Sequence, residues 1–238
     1  MSSQKLVELQ KLVRYAGPSL AIEQGMPQVV RWKPFHDIIP SLHPQNNAQH
    51  MLSVMFMATT MCAELSRYGH FDAGAVLGAF AVHDLGEGEL LRDLVADRKS
   101  DAEDLNEFLA FRSLISGLNA DACLSMETSF LLQSAAKNPE CFPADARETM
   151  SLIQRCRPRE ILIFDAIQRF AYLMCPIQHW QQTGTVEFLI RVVRRQIAHY
   201  DRFAAELPGF AELYWTPSFR TEMLGLIAEH EGQFVGGL

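Results

Sequence analysis

The chain has 238 residues, of which 48% are apolar and 21% charged, a size and composition typical of a globular protein with a large core. Its formal charge of −7 argues against binding to duplex nucleic acid or anionic membranes, which requires a basic face. The sequence has no CxxC pair, no signal-peptide pattern at its start and no apolar run of spanning length. These features predict a soluble, cytoplasmic protein with reduced cysteines.

Helical periodicity predicts the elements in chain order. Apolar spacing over Leu6, Leu9, Leu12 and Val13 indicates a short first helix that ends at Gly17-Pro18. The prolines that follow predict an irregular segment at 21–44, with a brief turn at 29–32. A strong helix is expected at about 46–68, where Gly69 ends it. Its core-facing stripe is predicted to be Leu52, Met55, Phe56, Thr59 and Ala63.

The rest of the chain is also helical in pattern. Asp72 is predicted to cap a helix that is apolar nearly all round, ends near Gly86 and lies buried at the centre of the fold. Further helices are expected at 101–118, 148–155, 160–174 and 186–207, and Ser218 is predicted to cap the last one. No strand-like alternation of useful length occurs. The prediction is one all-α domain over residues 1–238.

The chemistry centres on His83-Asp84, at the end of the helix predicted to be buried. Such a pair alone often has only a structural role, but two other apolar helices carry one further metal-competent side chain each. His50 opens the preceding helix, and Asp165 lies in the apolar segment ILIFDAIQRFAYL, where an unpartnered carboxylate would be costly to bury. Two imidazoles and two carboxylates suit one divalent transition metal such as Mn²⁺, Fe²⁺, Co²⁺ or Zn²⁺.

Three nearby positions have both a purely structural and a functional interpretation. Glu87 follows His83 by four residues, so it is either a surface glutamate or the group that orients and deprotonates a water. Asp93 is either a helix-start residue or a second carboxylate of the site. Arg31-Trp32 combines a guanidinium that matches phosphate oxygens with an aromatic face for stacking.

These motifs, RW, QH, HDLGE and FDAIQRF, resemble the HD superfamily of metal-dependent phosphohydrolases over roughly residues 31–172. The pattern is most similar to the small bacterial 5′-deoxynucleotidases, which hydrolyse deoxynucleoside monophosphates; related phage HD enzymes remove triphosphate from dATP. The resemblance implies a single HD-type helical bundle with a core at about 28–175 and C-terminal helices at 185–234 as an extension.

The resemblance also implies roles for individual residues. One divalent metal would be bound by His50, His83, Asp84 and Asp165. Arg31 would bind the phosphate, Trp32 would pack near the sugar, Glu87 would position the water, and Asp93 would assist near the phosphate or ribose. Two departures stand out: Asp93 needs a one-residue insertion, and the acidic residue usual before the first histidine is replaced by amides, Asn46, Asn47 and Gln49.

No histidine occurs between Asp84 and Asp165, which favours one metal over two. The other histidines, His179 among them, are predicted to lie in loops or at the surface, and only His36 and His43 are near enough in sequence to reach the site. The sequence leaves open whether the C-terminal helices cover the core or form a homodimer or higher oligomer.

Three alternatives to the nucleotidase remain. The first is a triphosphohydrolase acting on a deoxynucleoside triphosphate, whose extra phosphates would need further cations; the candidates are Lys33, Arg92, Arg98 and Lys99. The second is a non-catalytic regulatory HD module. The third is a helical bundle with no site at all.

Overall fold

The computed structural model describes residues 3–93, 99–230 and 232. Over these residues the chain forms helices and no strand, apart from an isolated antiparallel bridge between Val30 and Asn46. The all-α prediction is therefore confirmed. Among the described helices, none is long and apolar enough to cross a membrane. The α-helices are α1 (Ser3–Gly25), α2 (Lys33–His36), α3 (Asn47–Leu65), α4 (Ala73–Val82), α5 (Leu85–Leu90), α6 (Asp101–Ile115), α7 (Ala120–Ser134), α8 (Ala144–Cys156), α9 (Pro158–Ala171), α10 (Met174–Thr183), α11 (Glu187–Glu206), α12 (Pro208–Leu213) and α13 (Pro217–Glu229).

The chain divides into two compact units. The first comprises Met1–Arg31, Gln45–Ser53 and Gly78–Pro158, and the second comprises Trp32–Pro44, Val54–Leu77 and Arg159–Leu238. The boundaries fall within α3 and within α4, so each of these helices contributes residues to both units. The single HD-type domain, with its core at about 28–175, stays a prediction.

In the first unit α5 packs against α1 and α6, and α7 packs against α6 and α8. Phe111 and Phe130 stack with their ring centroids 4.6 Å apart in the core between these helices. Glycines allow the close approach of α5 to its neighbours: a Cβ on Gly86 would lie 2.5 Å from the carbonyl oxygen of Glu107, and one on Gly25 would overlap the carbonyl oxygen of Gly88. The glycines of the LGEGE segment thus bring the backbone of α5 against both α1 and α6.

In the second unit α11 packs against α10, α12 and α13. Its buried face contributes Tyr200, whose ring lies 4.9 Å from that of Trp215 and whose hydroxyl donates to the Arg169 carbonyl oxygen over 2.9 Å. Phe188, at the start of the same helix, receives the edge of Trp32 at a centroid distance of 5.2 Å. Aromatic side chains therefore make up much of this core.

Several predicted helix ends are wrong. α1 continues through Pro18 to Gly25, so Gly17-Pro18 does not end it, and part of the segment predicted as irregular is helical. A proline inside a helix removes one backbone hydrogen bond and crowds the preceding turn, a cost that this helix accommodates. The predicted turn at 29–32 is confirmed at Arg31 and Trp32, which form a turn between a 3₁₀ helix at Met26–Gln28 and α2. The last helix is capped by the Thr216 hydroxyl, which accepts from the Phe219 N–H, and not by Ser218.

The predicted core stripe of α3 is also wrong. Leu52 and Phe56 are 76% and 74% exposed, and Thr59 and Ala63 are exposed too. The buried residues of α3 follow a second stripe with helical spacing: Val54, Ala58, Met61, Cys62 and Leu65. Because α3 carries apolar residues on more than one face, periodicity alone does not select the face that is buried.

Other helix predictions are confirmed or incomplete. Ser100 and Glu103 form a capping box at the start of α6, which fits the acidic first turn of that helix. The Asp72 carboxylate caps α4 by accepting from the Ala75 N–H over 3.0 Å, but α4 ends at Val82 and α5 follows as a separate helix. The sequence analysis missed α7, α10 and α12.

Candidate metal centre

The first turn of α3 is set by an amide capping box. The Gln49 N–H donates to Asn46 Oδ1 over 2.9 Å, and the Asn46 N–H donates to Gln49 Oε1 over 3.1 Å. This exchange satisfies backbone donors that the start of a helix leaves without partners. It also fixes the turn in which Asn47 and His50, three residues apart, lie on one face. The amides that replace an acidic residue before His50 therefore have a local structural role.

His83 and Asp84 occupy the turn between α4 and α5. His83 Nδ1 lies 2.9 Å from the carbonyl oxygen of Phe80. A carbonyl oxygen can only accept, so Nδ1 carries a proton and Nε2 is the ring nitrogen left to bind a metal. Metal-binding histidines commonly have their second ring nitrogen held by the backbone in this way.

The side chains of His50, His83 and Asp84 meet inside the first unit. One potential ligand atom from each lies within 4.8 Å of the other two. Asp84 Oδ2 is 3.4 Å from His83 Nε2 and 3.7 Å from His50 Nε2. All three residues are buried, and His50 Nε2 has no hydrogen-bond partner among the described residues. A buried lone pair that faces a carboxylate and a second imidazole fits a metal ion.

The electrostatic surroundings keep two of these groups in the form that binds a cation. Burial lowers the pKa of His50 well below its usual value, and the nearby Arg31 charge adds to this, so the imidazole is neutral. Burial alone would raise the pKa of Asp84, but the neighbouring His83 and Arg31 side chains hold it well below its usual range. Asp84 is therefore ionised.

Further charged groups extend from this triad through a chain of short contacts. Arg31 Nη1 lies 2.8 Å from Asp84 Oδ2, 3.9 Å from Glu87 Oε2 and 3.9 Å from Asp93 Oδ1. Lys99 continues the chain from the other side of Glu87. We refer to these six side chains as the charge cluster: the carboxylates of Asp84, Glu87, Asp93 and Glu107 and the cations of Arg31 and Lys99. With all carboxylates ionised the cluster would have two negative charges in excess, which one divalent cation would balance.

Glu87 is held by a donor on each of its carboxylate oxygens. The Asn47 amide donates to Oε2 over 2.9 Å, and Lys99 Nζ lies 3.2 Å from Oε1. Burial, followed by the negative charge of Asp84, raises the pKa of Glu87 to about 8. Because each carboxylate oxygen has two lone pairs, Glu87 can accept a further proton donor while both contacts persist.

Both non-glycine residues with positive φ among the described residues flank this site in sequence. Trp32, at φ 62°, follows Arg31, and Leu91, at φ 52°, precedes Asp93 by two residues. Such left-handed conformations are unfavourable for large side chains and tend to persist where the surroundings fix the backbone, often at functional sites. They support the prediction that Arg31 and Asp93 belong to the site.

Two predicted site residues belong to the second unit. Trp32 packs there with its edge against Phe188, and its ring centroid is also 6.0 Å from that of Tyr172. Asp165, on α9, is ion-paired with Arg169 over 2.9 Å and with Arg202 over 2.7 Å. These guanidinium groups supply the compensating charge that the sequence argument attributed to a metal. The sugar-packing role of Trp32 and the ligand role of Asp165 stay predictions.

Sequence reasoning missed Glu107 and misplaced His179. It named Asn47 as an amide before His50 and Lys99 as a candidate phosphate ligand, but not as contacts of Glu87. Asn47, Lys99 and Glu107 link the charge cluster together, and the one available signal was that Asn47 precedes His50 by one helical turn. His179, predicted to lie in a loop or at the surface, is instead buried on α10, with Nε2 3.1 Å from the Thr185 hydroxyl. Arg98 lies outside the described residues.

The chain matches no family model, no curated protein and no solved structure.

Proposed function

We propose that this protein is a metal-dependent phosphohydrolase that hydrolyses the phosphate ester of a deoxynucleotide, most simply as a 5′-deoxynucleotidase acting on monophosphates. The observation that carries the proposal is the buried group of His50, His83 and Asp84, with Arg31 in contact with the ligand carboxylate and Glu87 one helical turn beyond it. The resemblance to HD enzymes adds Asp165 as a fourth ligand. The donor set suits Mn²⁺, Fe²⁺, Co²⁺ or Zn²⁺.

In this proposal each side chain has a separate task. When bound, the divalent cation would polarise a phosphoryl oxygen and make water more acidic. Glu87 accepts one proton of the attacking water, whose oxygen forms the new bond to phosphorus as the ester bond to the sugar oxygen breaks. The sugar oxygen takes up a proton from solvent and leaves as a hydroxyl group, and the other product is inorganic phosphate. Arg31 donates hydrogen bonds to the phosphate oxygens, and its place beside Asp84 lets one phosphate reach both groups.

The contacts of the basic residues favour a monophosphate over a triphosphate substrate. Lys99, a candidate for binding the outer phosphates, is buried between the carboxylates of Glu87 and Glu107. Arg92 is paired with Glu103 over 2.8 Å. The role of Lys33 stays a prediction. The triphosphohydrolase remains the alternative with the same site.

The proposal is tested with the purified full chain, stripped with a chelator and reloaded with each of the four metals. The assay measures release of phosphate and of tripolyphosphate from a panel of deoxynucleoside and ribonucleoside mono- and triphosphates, together with metal content. We expect phosphate release from deoxynucleoside monophosphates. Asp84→Ala should lose both metal and activity, and Glu87→Gln should retain metal while kcat falls by about 10²- to 10⁴-fold.

Glu89→Gln is the matched control, because Glu89 lies on the same short helix as Glu87 but is exposed. It should leave both metal binding and kcat unchanged. Release of tripolyphosphate alone would select the triphosphohydrolase. Absence of both bound metal and turnover would leave a non-catalytic module and refute the proposal.

A further inference from the structure

We propose that Lys99 is a positioning residue for the hydrolytic reaction: its ammonium group fixes the carboxylate of Glu87, and Glu107 in turn fixes Lys99. This inference rests on the proposed function, in which Glu87 accepts the proton of the attacking water. Neither Lys99 nor Glu107 was assigned this role by the sequence motifs. Glu107 lies on α6, which packs against α5, and Lys99 lies two residues before α6 begins.

The geometry places one ammonium group between two carboxylates. Lys99 Nζ lies 2.7 Å from Glu107 Oε2 and 3.2 Å from Glu87 Oε1. The side chains of Lys99, Glu87 and Glu107 are 9%, 2% and 1% exposed. With the Asn47 amide on Oε2, the Glu87 carboxylate is held from both sides and its plane is fixed.

This arrangement is a poor solution for stability alone. Burying charged groups costs free energy, and apolar residues of similar volume often stabilise a protein equally well. The cost is not fully offset here, since Glu107 Oε1 is buried with no hydrogen-bond partner among the described residues. A buried group that is expensive to keep and lies next to a proposed general base points to a role in the chemistry of that base.

Lys99 also opposes the surroundings that disfavour the ionised form of Glu87. Burial and the charge of Asp84 favour the neutral acid, and Glu107 adds a smaller effect in the same direction. Lys99, followed by Arg31, favours the carboxylate. Without the ammonium group, Glu87 would lose its strongest electrostatic support and its contact on Oε1.

The experiment compares Lys99→Met, Lys99→Arg and the double variant Lys99→Met/Glu107→Gln, each metal-loaded, for kcat, KM, cation affinity and pH profile. In Lys99→Met we expect kcat to fall by about 10- to 100-fold, the range for residues that support an active-site group. KM should stay within about twofold, and cation affinity should change by less than kcat, because loss of the Lys99 charge favours the cation while the raised pKa of Glu87 disfavours it. The limb of the profile on which activity rises with pH should move to higher pH, because removing a cation raises the pKa of a carboxyl group. Lys99→Arg, which keeps the charge, should restore part of kcat.

The double variant removes one cation and one anion together, so it tests the role of Lys99 even where the single variant does not fold. Lys137→Met is the matched control, since Lys137 pairs with Asp104 on α6 over 2.5 Å, outside the charge cluster; it should leave all four readouts unchanged.

Wild-type kcat and pH profile in a folded Lys99→Met protein or double variant would overturn the inference. So would equal losses of kcat and cation affinity, or failure of both variants to fold, since each indicates a purely structural role. An inactive wild-type protein would overturn the inference and the proposed function together, whereas an active wild type with an unaffected Lys99→Met variant would overturn the inference alone.

Discussion

Glu87 has a pKa of about 8 because burial and the nearby negative charge of Asp84 both disfavour its ionised form. The nearby candidate ligands behave differently: His50 is neutral and Asp84 is ionised at neutral pH. In the absence of a cation, the charge cluster therefore lowers its excess negative charge by keeping a proton on Glu87. A cation bound at the triad would reverse this preference.

Cation binding should therefore release a proton from Glu87, and affinity should rise with pH up to about 8 and then level off. Below that pH each unit of acidification should weaken binding by up to about tenfold, since the bound proton must first leave. Calorimetric titration with Mn²⁺ in buffers of different ionisation enthalpy measures the protons released. We expect close to one at pH 7 in the wild type and none from this source in Glu87→Gln. An affinity that does not change between pH 6 and 8 would contradict the prediction.

At the residue scale, the sequence identified site residues where a metal-binding side chain interrupts an otherwise apolar helix. His83 and Asp84 were identified because a polar pair interrupts an apolar helix, and the structure places both with His50. Lys99 and Glu107 could not be found in this way. Their role depends on which faces of α5 and α6 meet, and a lysine or glutamate in an amphipathic segment normally indicates a solvated face.

At the scale of the elements, the glycines of α5 determine how closely its neighbours approach. Gly86 lies against the backbone of Glu107, so the same contact that joins α5 to α6 also brings Glu107 to the level of the charge cluster. The backbone and side chain of Glu107 leave little freedom for a side chain at Gly86. The sequence analysis treated Gly86 only as a helix end.

Gly86→Ala should lower the free energy of unfolding by about 1–3 kcal/mol, because its Cβ would lie 2.5 Å from the Glu107 carbonyl oxygen. The measurement is urea denaturation followed by circular dichroism. Gly117→Ala is the control, since a Cβ at that position has no neighbouring heavy atom within 4 Å, and its free energy of unfolding should match the wild type or exceed it slightly. A Gly86→Ala variant as stable as the wild type would show that α5 and α6 are not in close contact.

Helix prediction succeeded where local signals decide the outcome and failed where packing does. The start of α6 follows from Ser100 and Glu103, which form their capping contacts within four residues. The buried face of α3 does not follow from its sequence, because the stripe through Val54 and the stripe through Leu52 are both apolar at helical spacing. Tertiary packing decides which of the two stripes is buried, and the sequence of α3 alone does not contain that information.

At the scale of the whole molecule, the division into two units means that cation binding at the triad should stabilise the first unit more than the second. His50, His83 and Asp84 all belong to the first unit. A ligand that binds only the folded protein stabilises the part that must be folded for binding. The core of aromatic side chains around Tyr200 and Trp215 belongs to the second unit and contains none of these three residues.

Mn²⁺ at about 100 times its dissociation constant should stabilise the folded protein by about 2.7 kcal/mol, which for a chain of this size raises Tm by roughly 5–10 °C. Differential scanning calorimetry with Mn²⁺ and with a chelator measures the shift. If unfolding resolves into two transitions, the transition of the first unit should move; movement of the second as well would indicate that Asp165 also binds the cation. His50→Ala removes a ligand atom that has no hydrogen-bond partner among the described residues, so it should abolish the shift. An equal shift in His50→Ala would contradict the assignment of the triad.

Asn47 donates to Glu87 and, through the other atom of its amide, accepts from Arg31 over 3.0 Å. An aspartate at this position could only accept from Arg31 and would repel Glu87, whereas a lysine could only donate. The amide has no charge to gain or lose, so titration of the surrounding carboxylates removes neither its donor nor its acceptor. Any displacement of the guanidinium group toward an incoming anion is therefore coupled mechanically to the carboxylate on the far side of the bridge.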